Sequence, residues 1–335
     1  MSSPKSVSIW LFFTAFMVFA MAIIGAITRL TESGLSMVEW RPLIGALPPL
    51  SDIEWQRVYA LYQDSPEFEK KHFWMSLEDF KIIFFWEWLH RFWGRLIGVV
   101  FILPLMWFWV KKHLSPEIKP YLVGLLLLGA SQGLMGWFMV QSGLVERPSV
   151  SHFRLAAHLG LAFVIFAYLV WLGFKTLPDW RFQKPGDKSF YAAALLLVLT
   201  IVWGAFVAGL DAGLVYNTYP LMGDRFLPPE TLTLQGFVND PVWVQFTHRW
   251  IAAIAAAALL AYSFKRKEIG LAASVLVQVG LGIATLLSQV AIPLAALHQA
   301  TAFIVVFMLV RSLFDYDEGS VLSRDPDNSV QPRPR

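Results

Sequence analysis

Four histidines lie near the ends of strongly apolar stretches and carry the chemistry that the sequence most clearly suggests. They are His90, His158, His248 and His298. An ionisable residue in an apolar span is unfavourable and marks a functional-site hypothesis. Neutral imidazole is the commonest metal ligand, and two opposed imidazoles complete a six-coordinate haem iron. The alternative is a set of interhelical hydrogen-bonding residues or a proton relay.

The four histidines belong to an internal repeat, which pairs them by position. The matching elements are Glu87-x-x-His90-Arg91 with Gln245-x-x-His248-Arg249, Gly25-Ala26 with Gly204-Ala205, Gly34-Leu35 with Gly213-Leu214, Gln132-x-x-x-Gly136 with Gln278-x-x-x-Gly282, and His158 with His298. Histidines at one depth in a duplicated pattern favour two haem sites, one in each half, over unrelated polar contacts.

A small residue follows each of these histidines by four positions, on the same helical face. The residues are Gly94, Ala162, Ala252 and Ala302. A small side chain there leaves room for a flat macrocycle against the helix, although membrane helices also use glycine and alanine at close contacts. An isolated zinc ion would want three or four converging ligands, whereas each half supplies a pair of histidines.

Two arginines and one carboxylate next to these histidines suggest further roles. Arg91 and Arg249 are candidate contacts for anionic haem propionates, or else arginines that reach lipid headgroups. Glu87 precedes His90 by three residues and is replaced by Gln245 in the other half. A carboxylate there is either paired with a surface arginine or catalytic, as an acid, a base or a stabiliser of a cationic intermediate. Because glutamine replaces it, we expect catalysis in the first half and electron transfer in the second.

Composition places the chain in a membrane. Its 335 residues are 56% hydrophobic and 15% charged, and apolar runs of about 20 residues recur throughout. Cysteine is absent, which excludes disulfides, iron–sulfur clusters and covalently attached c-type haem. His72, His113 and His152 fall in predicted loops, where we expect them to be solvated or interfacial. Spans are predicted at residues 9–29, 82–110, 121–141, 155–174, 190–210, 242–264, 269–291 and 294–313.

Basic residues predict how the spans are oriented. Lysine and arginine are concentrated around residues 111–119, 175–188 and 265–267, so these loops and both termini are expected in the cytoplasm. The four histidines then lie towards the periplasm of a bacterial inner membrane, and we expect no cleavable targeting segment. The outer loop at 30–81 is long and rich in Gly, Pro and Trp, and its 51–79 stretch is predicted to form one or two short interfacial helices.

The predicted fold is an all-α integral membrane protein with two pseudo-symmetric four-helix bundles related by a parallel repeat. The expected parts are a cytoplasmic N-terminus (1–8), an N-terminal bundle with the reaction site (9–174), a cytoplasmic linker (175–189), a C-terminal bundle with the electron-transfer site (190–313) and a disordered cytoplasmic tail (314–335). The long outer loops are expected to cap the sites.

Several motifs together resemble the haem A synthase family. They are EWLHR, QGLMGWFMVQSGL, RLAAHLGLA, GLDAGLVYNTYPLM, FTHRW and ALHQATA. The resemblance covers residues 9–313 and implies a membrane oxidoreductase that oxidises the C8 methyl group of haem O to the formyl group of haem A. In lacking cysteine, the sequence resembles the alphaproteobacterial and mitochondrial branch of this family. The absence of cysteine excludes a thiol–disulfide step.

The resemblance also implies roles for individual residues. His90 and His158 would flank the substrate haem, His248 and His298 would ligate a non-covalent haem b, and Glu87 would take part in catalysis. The implied partners are haem O synthase, cytochrome oxidase assembly factors and membrane lipid, with no nucleic acid. From the residues alone, two rivals remain. One is a b-type cytochrome that carries electrons from quinol through two bis-histidine haems, and the other is a transporter built from parallel repeats.

Overall fold

The computed structural model describes residues 4–39, 47–143, 149–185 and 188–316. Its α-helices are α1 (Pro4–Leu30), α2 (Asp52–Gln63), α3 (Leu77–Val110), α4 (Lys119–Gln141), α5 (His152–Lys175), α6 (Lys188–Gly209), α7 (Gly236–Asn239), α8 (Pro241–Arg266), α9 (Ile269–Leu287) and α10 (Ile292–Arg311). Within these residues, all helices except α2 and α7 are long and apolar enough to cross a membrane. The eight predicted spans are thereby confirmed as helices.

Side-chain caps explain where two of these helices begin. The Ser76 hydroxyl accepts from the Asp79 N–H at 3.3 Å, and the Asp79 carboxylate accepts from the Ser76 N–H at 3.1 Å. This reciprocal pair satisfies two otherwise unpartnered donors at the start of α3. At the start of α8, the Asp240 carboxylate accepts from the Val242 N–H at 2.8 Å. The caps fix the beginnings of the helices that carry the first histidine of each half.

Two long loops precede α3 and α8. The first long loop, described at residues 31–39 and 47–76, contains α2 and a single π-helical turn at Phe68–His72. Tyr62 at the end of α2 and Phe80 on α3 are fully buried, and their rings stack with centroids 5.1 Å apart. This contact holds α2 against α3 and confirms a short helix in the predicted stretch. The second long loop, residues 210–240, contains α7 and a short 3₁₀ turn.

A two-stranded antiparallel sheet joins the predicted linker to the predicted tail. Strand β1 (Trp180–Phe182) pairs with β2 (Phe314–Tyr316). The Phe314 side chain is 2% exposed and stacks on Phe174 with ring centroids 5.4 Å apart. The prediction of disorder over 314–335 is therefore wrong for the three residues of β2, because burial of the Phe314 ring offsets the entropy lost on ordering. The rest of the predicted tail lies outside the described residues.

Helices of the two sequence halves also pack against each other. Helices α1 and α5 of the first half contact α10 of the second, and α5 contacts α6. The fully buried Phe303 ring on α10 lies 3.9 Å from that of Phe163 and 5.0 Å from that of Phe166, measured between centroids. One apolar core therefore crosses the boundary between the halves. The division into two four-helix bundles stays a prediction.

The halves differ in how their second and third spanning helices pack. Helices α8 and α9 of the second half contact each other extensively, whereas the equivalent helices α3 and α4 of the first half meet at few positions. The second and third spanning helices are therefore packed less closely in the first half than in the second.

Candidate functional site

The two histidines of each half lie close together on different helices. His90 on α3 and His158 on α5 are within electrostatic range of each other, and so are His248 on α8 and His298 on α10. All four residues are half-buried. The structure thus brings together the pairs that the repeat predicted, and each pair joins the helices of one half.

A glycine on a neighbouring helix lies against each of the four imidazole rings. The pairs are Gly25 with His90, Gly136 with His158, Gly204 with His248, and Gly282 with His298. In each case an added Cβ atom would lie between 2.9 and 3.2 Å from the ring. A side chain would push the ring or the helix away, so glycine permits this close approach.

Sequence comparison of the halves identified these glycines only as markers of the repeat. Gly25 lies on α1 and Gly204 on α6, far along the chain from the rings they contact, so their role depends on which helices are neighbours. Gly94, which follows His90 by four positions, does not lie against an imidazole ring. An added Cβ at Gly94 would make an ordinary contact with Met21 Cε at 3.4 Å. The macrocycle surface expected at Gly94, Ala162, Ala252 and Ala302 stays a prediction.

Unpartnered nitrogen atoms in the histidine pairs fit a haem group. Among the described residues, the buried Nδ1 atoms of His158, His248 and His298 have no hydrogen-bond partner. A buried imidazole nitrogen without such a partner is available as a metal ligand. The same residues contain no group of three or more His, Cys, Asp or Glu side chains that could hold a metal ion. The pairs therefore suit an iron that brings its other ligands with it, as a porphyrin iron does.

Glu87 is buried and hydrogen-bonded to the first long loop. Its side chain is 3% exposed and accepts from the Ser36 hydroxyl at 2.7 Å and from the Met37 N–H at 2.6 Å. Arg91, one turn further along α3, donates to the other carboxylate oxygen. This set of donors suits an anionic carboxylate. Glu87 is thus paired with an arginine, as one of the two interpretations expected, but inside the protein rather than at its surface.

Gln245 occupies the position in the second half that matches Glu87. It donates a hydrogen bond to its long loop, whereas Glu87 accepts hydrogen bonds from its own. Its amide donates to the Tyr216 carbonyl at 3.1 Å, and its oxygen accepts from Arg249 at 3.3 Å. Tyr216 is the repeat equivalent of Met37. The loop therefore presents an N–H to Glu87 in the first half and a carbonyl to Gln245 in the second.

Arg91 and Arg249 hold the backbone of the two long loops. Arg91 donates to the carbonyls of Met37 at 3.0 Å and Glu39 at 3.4 Å. Arg249 donates to the equivalent carbonyls of the second long loop at 2.8 and 2.9 Å. Its Nε atom is buried and has no hydrogen-bond partner in the described part of the chain. The propionate contacts of both arginines stay predictions, and this Nε is a donor suited to one.

The prediction that His72 and His152 are solvated is wrong, whereas their position at the membrane interface stays a prediction. They are 6% and 8% exposed. His152 begins α5, and its Nε2 atom lies 3.0 Å from the Val238 carbonyl of the second long loop. His72 lies in the π-helical turn, where the folded loop covers it. Only His113, after α3, is partly exposed as expected. Sequence patterns placed these residues near loops but did not show that the loops fold over two of them.

Known proteins match nearly the whole chain. The profile of the COX15-CtaA family, described as a cytochrome oxidase assembly protein, matches residues 8–310. A protein of Rhodospirillum centenum named Heme A synthase is 51% identical, over 93% of this chain and 88% of its own. A protein of that name from Nitrosospira multiformis is 42% identical over 90% of both chains. Another, from Flavobacterium psychrophilum, is 41% identical over 91% of this chain and 96% of its own.

The profile match extends over both halves, and its range includes all four histidines. The family resemblance inferred from the motifs is thereby confirmed. Because the profile covers most of the sequence and the relatives align along nearly their full lengths, the chain belongs to the COX15-CtaA family of cytochrome oxidase assembly proteins.

Proposed function

We propose that the chain is a haem A synthase, which oxidises the C8 methyl group of haem O to the formyl group of haem A. The observation that carries this proposal is the 51% identity, over 93% of the chain, to a protein named Heme A synthase. The histidine pairs support it, because His158 in the first pair and both histidines of the second have a buried, unpartnered Nδ1 atom that is available to a haem iron. The assignment of the C8 methyl group as the one that is oxidised rests on the family resemblance.

We assign different tasks to the two histidine pairs. His90 and His158 flank substrate haem O, whereas His248 and His298 hold a non-covalent haem b. When bound, haem b supplies one-electron redox chemistry. Two differences between the halves support the assignment. The carboxylate of Glu87 has no equivalent in the second half, and the looser contact between α3 and α4 suits a site whose occupant must enter and leave.

Glu87 is the residue that we assign to catalysis. Conversion of a methyl into a formyl group removes two hydrogen atoms from the carbon and adds one oxygen atom, which water or dioxygen would supply. Loss of an electron pair from that carbon ahead of its proton would place positive charge at the porphyrin edge. Glu87 lies three residues before His90, on the same face of α3. From there a buried carboxylate stabilises positive charge or accepts a proton. Ser36 and Arg91 fix its position through the hydrogen bonds described above.

We further propose the cellular setting in which this reaction occurs. The basic loops support a bacterial inner membrane location with both termini in the cytoplasm and the histidine pairs towards the periplasm. The sparse contact between α3 and α4 supports lateral entry of haem O from the lipid. Haem O synthase is the proposed supplier, and assembly factors of cytochrome oxidase are the proposed receivers of the product.

A b-type cytochrome that binds two haems b is the second candidate function. The close similarity of the two histidine pairs, with a glycine against every ring, favours it. Such a protein would move electrons without changing either haem.

Acid extraction of haem from the detergent-purified protein, followed by chromatography, tests the two functions against each other. The protein should be produced with a source of haem O. A haem A synthase is expected to yield haem b together with haem O or haem A. Two haems b per chain, with neither haem O nor haem A, would overturn the proposal in favour of the cytochrome.

A further inference from the structure

A cluster of buried titratable side chains lies in the first long loop, away from the histidine pairs. Tyr62 is fully buried, and Glu67 and His72 are 4% and 6% exposed. The Tyr62 hydroxyl lies 3.0 Å from Glu67 Oε2 and 2.6 Å from His72 Nδ1. The other ring nitrogen of His72, Nε2, lies 3.3 Å from Glu32 Oε2. Consecutive hydrogen-bond contacts therefore connect Glu67 to Glu32.

Two distributions of protons satisfy these contacts equally well. In the first, Glu67 is ionised and accepts from Tyr62, while the His72 imidazolium donates to both Tyr62 and Glu32. In the second, Glu67 is protonated and donates to Tyr62, Tyr62 donates to neutral His72, and His72 donates to Glu32. Both contain the same number of protons. One converts into the other when protons shift along the contacts, and the heavy atoms stay in place.

The surroundings allow a protonated Glu67, as in the second distribution, near neutral pH. Burial raises the pKa of Glu67 to about 7, which allows its protonated form to be populated there. Hydrogen bonding from His72 lowers the pKa of Glu32 to about 2, so the far end of the cluster stays anionic. Burial, reinforced by the charge of Glu67, raises the pKa of Tyr62. The phenol therefore passes protons as a neutral hydroxyl group.

The cluster extends from the neighbourhood of Glu87 to a partly exposed side chain. Glu87 on α3 acts electrostatically on both Glu67 and Tyr62. At the other end, the Glu32 side chain is 34% exposed and forms an ion pair with Lys71. The loop segment that begins at Glu32 also supplies the hydroxyl and N–H groups that hold Glu87.

We propose that Glu67, Tyr62 and His72 form a proton-transfer relay that carries protons released near Glu87 to the aqueous phase at Glu32. In one transfer, the Glu67 proton passes to the Tyr62 oxygen while the Tyr62 proton passes to His72 Nδ1. The products are a carboxylate and an imidazolium, and the imidazolium releases its Nε2 proton to water beside Glu32. Protonation of Glu67 and tautomer exchange of the neutral ring through solvent restore the starting state. The source of the protons rests on the proposed function.

Infrared difference spectroscopy between acidic and alkaline pH tests the relay without turnover. In the purified full-length protein we expect a protonated-carboxyl band that titrates near pH 7. The band should disappear in Glu67→Gln and shift in Tyr62→Phe, which removes its hydrogen-bond partner. Tyr59→Phe is the matched control, because the Tyr59 hydroxyl lies in the same aromatic core and donates to the Met75 carbonyl. A spectrum without this band, or a band that persists in Glu67→Gln, overturns the proposal.

Turnover of haem O tests whether the relay serves the reaction. We expect Tyr62→Phe and His72→Ala to lower turnover by roughly tenfold to a hundredfold, within or just below the usual range for acid–base groups. Bound haem and Tm should match those of Tyr59→Phe. Added imidazole should restore part of the turnover of His72→Ala, which a purely structural role of His72 does not predict.

The relay and the proposed function fail in different ways. Wild-type turnover in Tyr62→Phe, or the absence of imidazole rescue in a folded His72→Ala protein, overturns the relay. A wild-type protein that converts no haem O overturns the proposed function, whereas the infrared titration still decides whether Glu67 exchanges a proton with its neighbours.

Discussion

The two halves differ most sharply at the residue three positions before the first histidine of each half, which is Glu87 in the first half and Gln245 in the second. In the first half, Glu87 accepts from a loop hydroxyl and a loop N–H; in the second, Gln245 donates to a loop carbonyl. Both also accept from the arginine one turn later. A neutral side chain is therefore sufficient to hold a long loop in this position. The carboxylate at Glu87 needs a different explanation, and its proposed catalytic role supplies one.

A second comparison concerns the start of each long loop. Glu32 and Asp211 occupy equivalent positions, two residues before a glycine, and both have a φ of 51°. This left-handed backbone conformation is unusual for residues other than Gly, Asn and Asp. Asp211 forms an ion pair with Arg29 across the boundary between the halves, at 2.8 Å. Glu32 instead contacts the buried cluster of the first long loop. The repeated backbone has been kept while the side-chain partners have diverged.

Replacement of one histidine in each pair should distinguish the roles of the two halves most clearly. We expect His248→Ala to abolish binding of haem b, because one remaining imidazole cannot complete a six-coordinate iron. His90→Ala should keep haem b but fail to convert haem O. Haem content per chain, measured after extraction, checks both results, and His113→Ala is the control. Retention of haem b in His248→Ala together with its loss in His90→Ala would reverse the assignment of the two sites.

Replacement of Glu87 by glutamine should affect chemistry rather than binding. Gln245 shows that an amide is compatible with this position of the fold, so Glu87→Gln is expected to fold and to bind haem O. Formation of haem A should fall by about a hundredfold, the lower range for loss of an acid–base group. The ratio of haem A to haem O in extracts measures this, and an unchanged ratio would remove Glu87 from the mechanism.

The reciprocal variant, Gln245→Glu, serves as the control for charge. It places a carboxylate against the Tyr216 carbonyl, so that two acceptors face each other in a buried site. We expect a loss of stability of about 1–3 kcal/mol, the usual effect of an unsatisfied buried polar group. A lower Tm, together with unchanged formation of haem A per folded molecule, would show that the fold suits a carboxylate at position 87 but not at position 245.

The glycines against the histidine rings provide a smaller perturbation of each half. Gly136→Ala should displace His158, and Gly282→Ala should displace His298, because the new Cβ would lie about 3 Å from the ring. Overpacking of this kind destabilises by about 1–3 kcal/mol. We expect weaker binding of haem O in the first variant and of haem b in the second, measured by spectral titration. Gly129→Ala, where an added Cβ meets no atom within 4 Å, should behave as wild type.

The features that the sequence predicted correctly have local signals. Apolar runs of membrane-spanning length indicated the helices, and duplicated motifs indicated which histidines share a half. The features it missed depend on tertiary contacts between distant residues. His72 is buried because α2 and the π-helical turn fold against α3, and β2 forms because Phe314 reaches Phe174. The partners of Glu87 belong to the same class, since nothing in their spacing links Ser36 to α3.

A pH dependence of stability that belongs to the first long loop is also expected. Burial raises the pKa of Glu67 to about 7, whereas an unfolded glutamate titrates near about 4.3. The folded protein therefore binds more protons than the unfolded one between these values, and its stability should fall as pH rises from about 4.3 to about 7. The lowered pKa of Glu32 acts in the opposite direction, but its contribution is already complete above its unfolded value.

Thermal unfolding across this pH range measures the effect, and Glu67→Gln should flatten the slope. Glu230→Gln is the matched control in the second long loop, where the Glu230 carboxylate accepts from the Tyr216 hydroxyl at 3.3 Å in a more open setting. An equal slope in wild type and Glu67→Gln would mean that the buried carboxyl does not hold a proton near neutrality. The first long loop would then differ from the second in shape and in side-chain partners but not in titration.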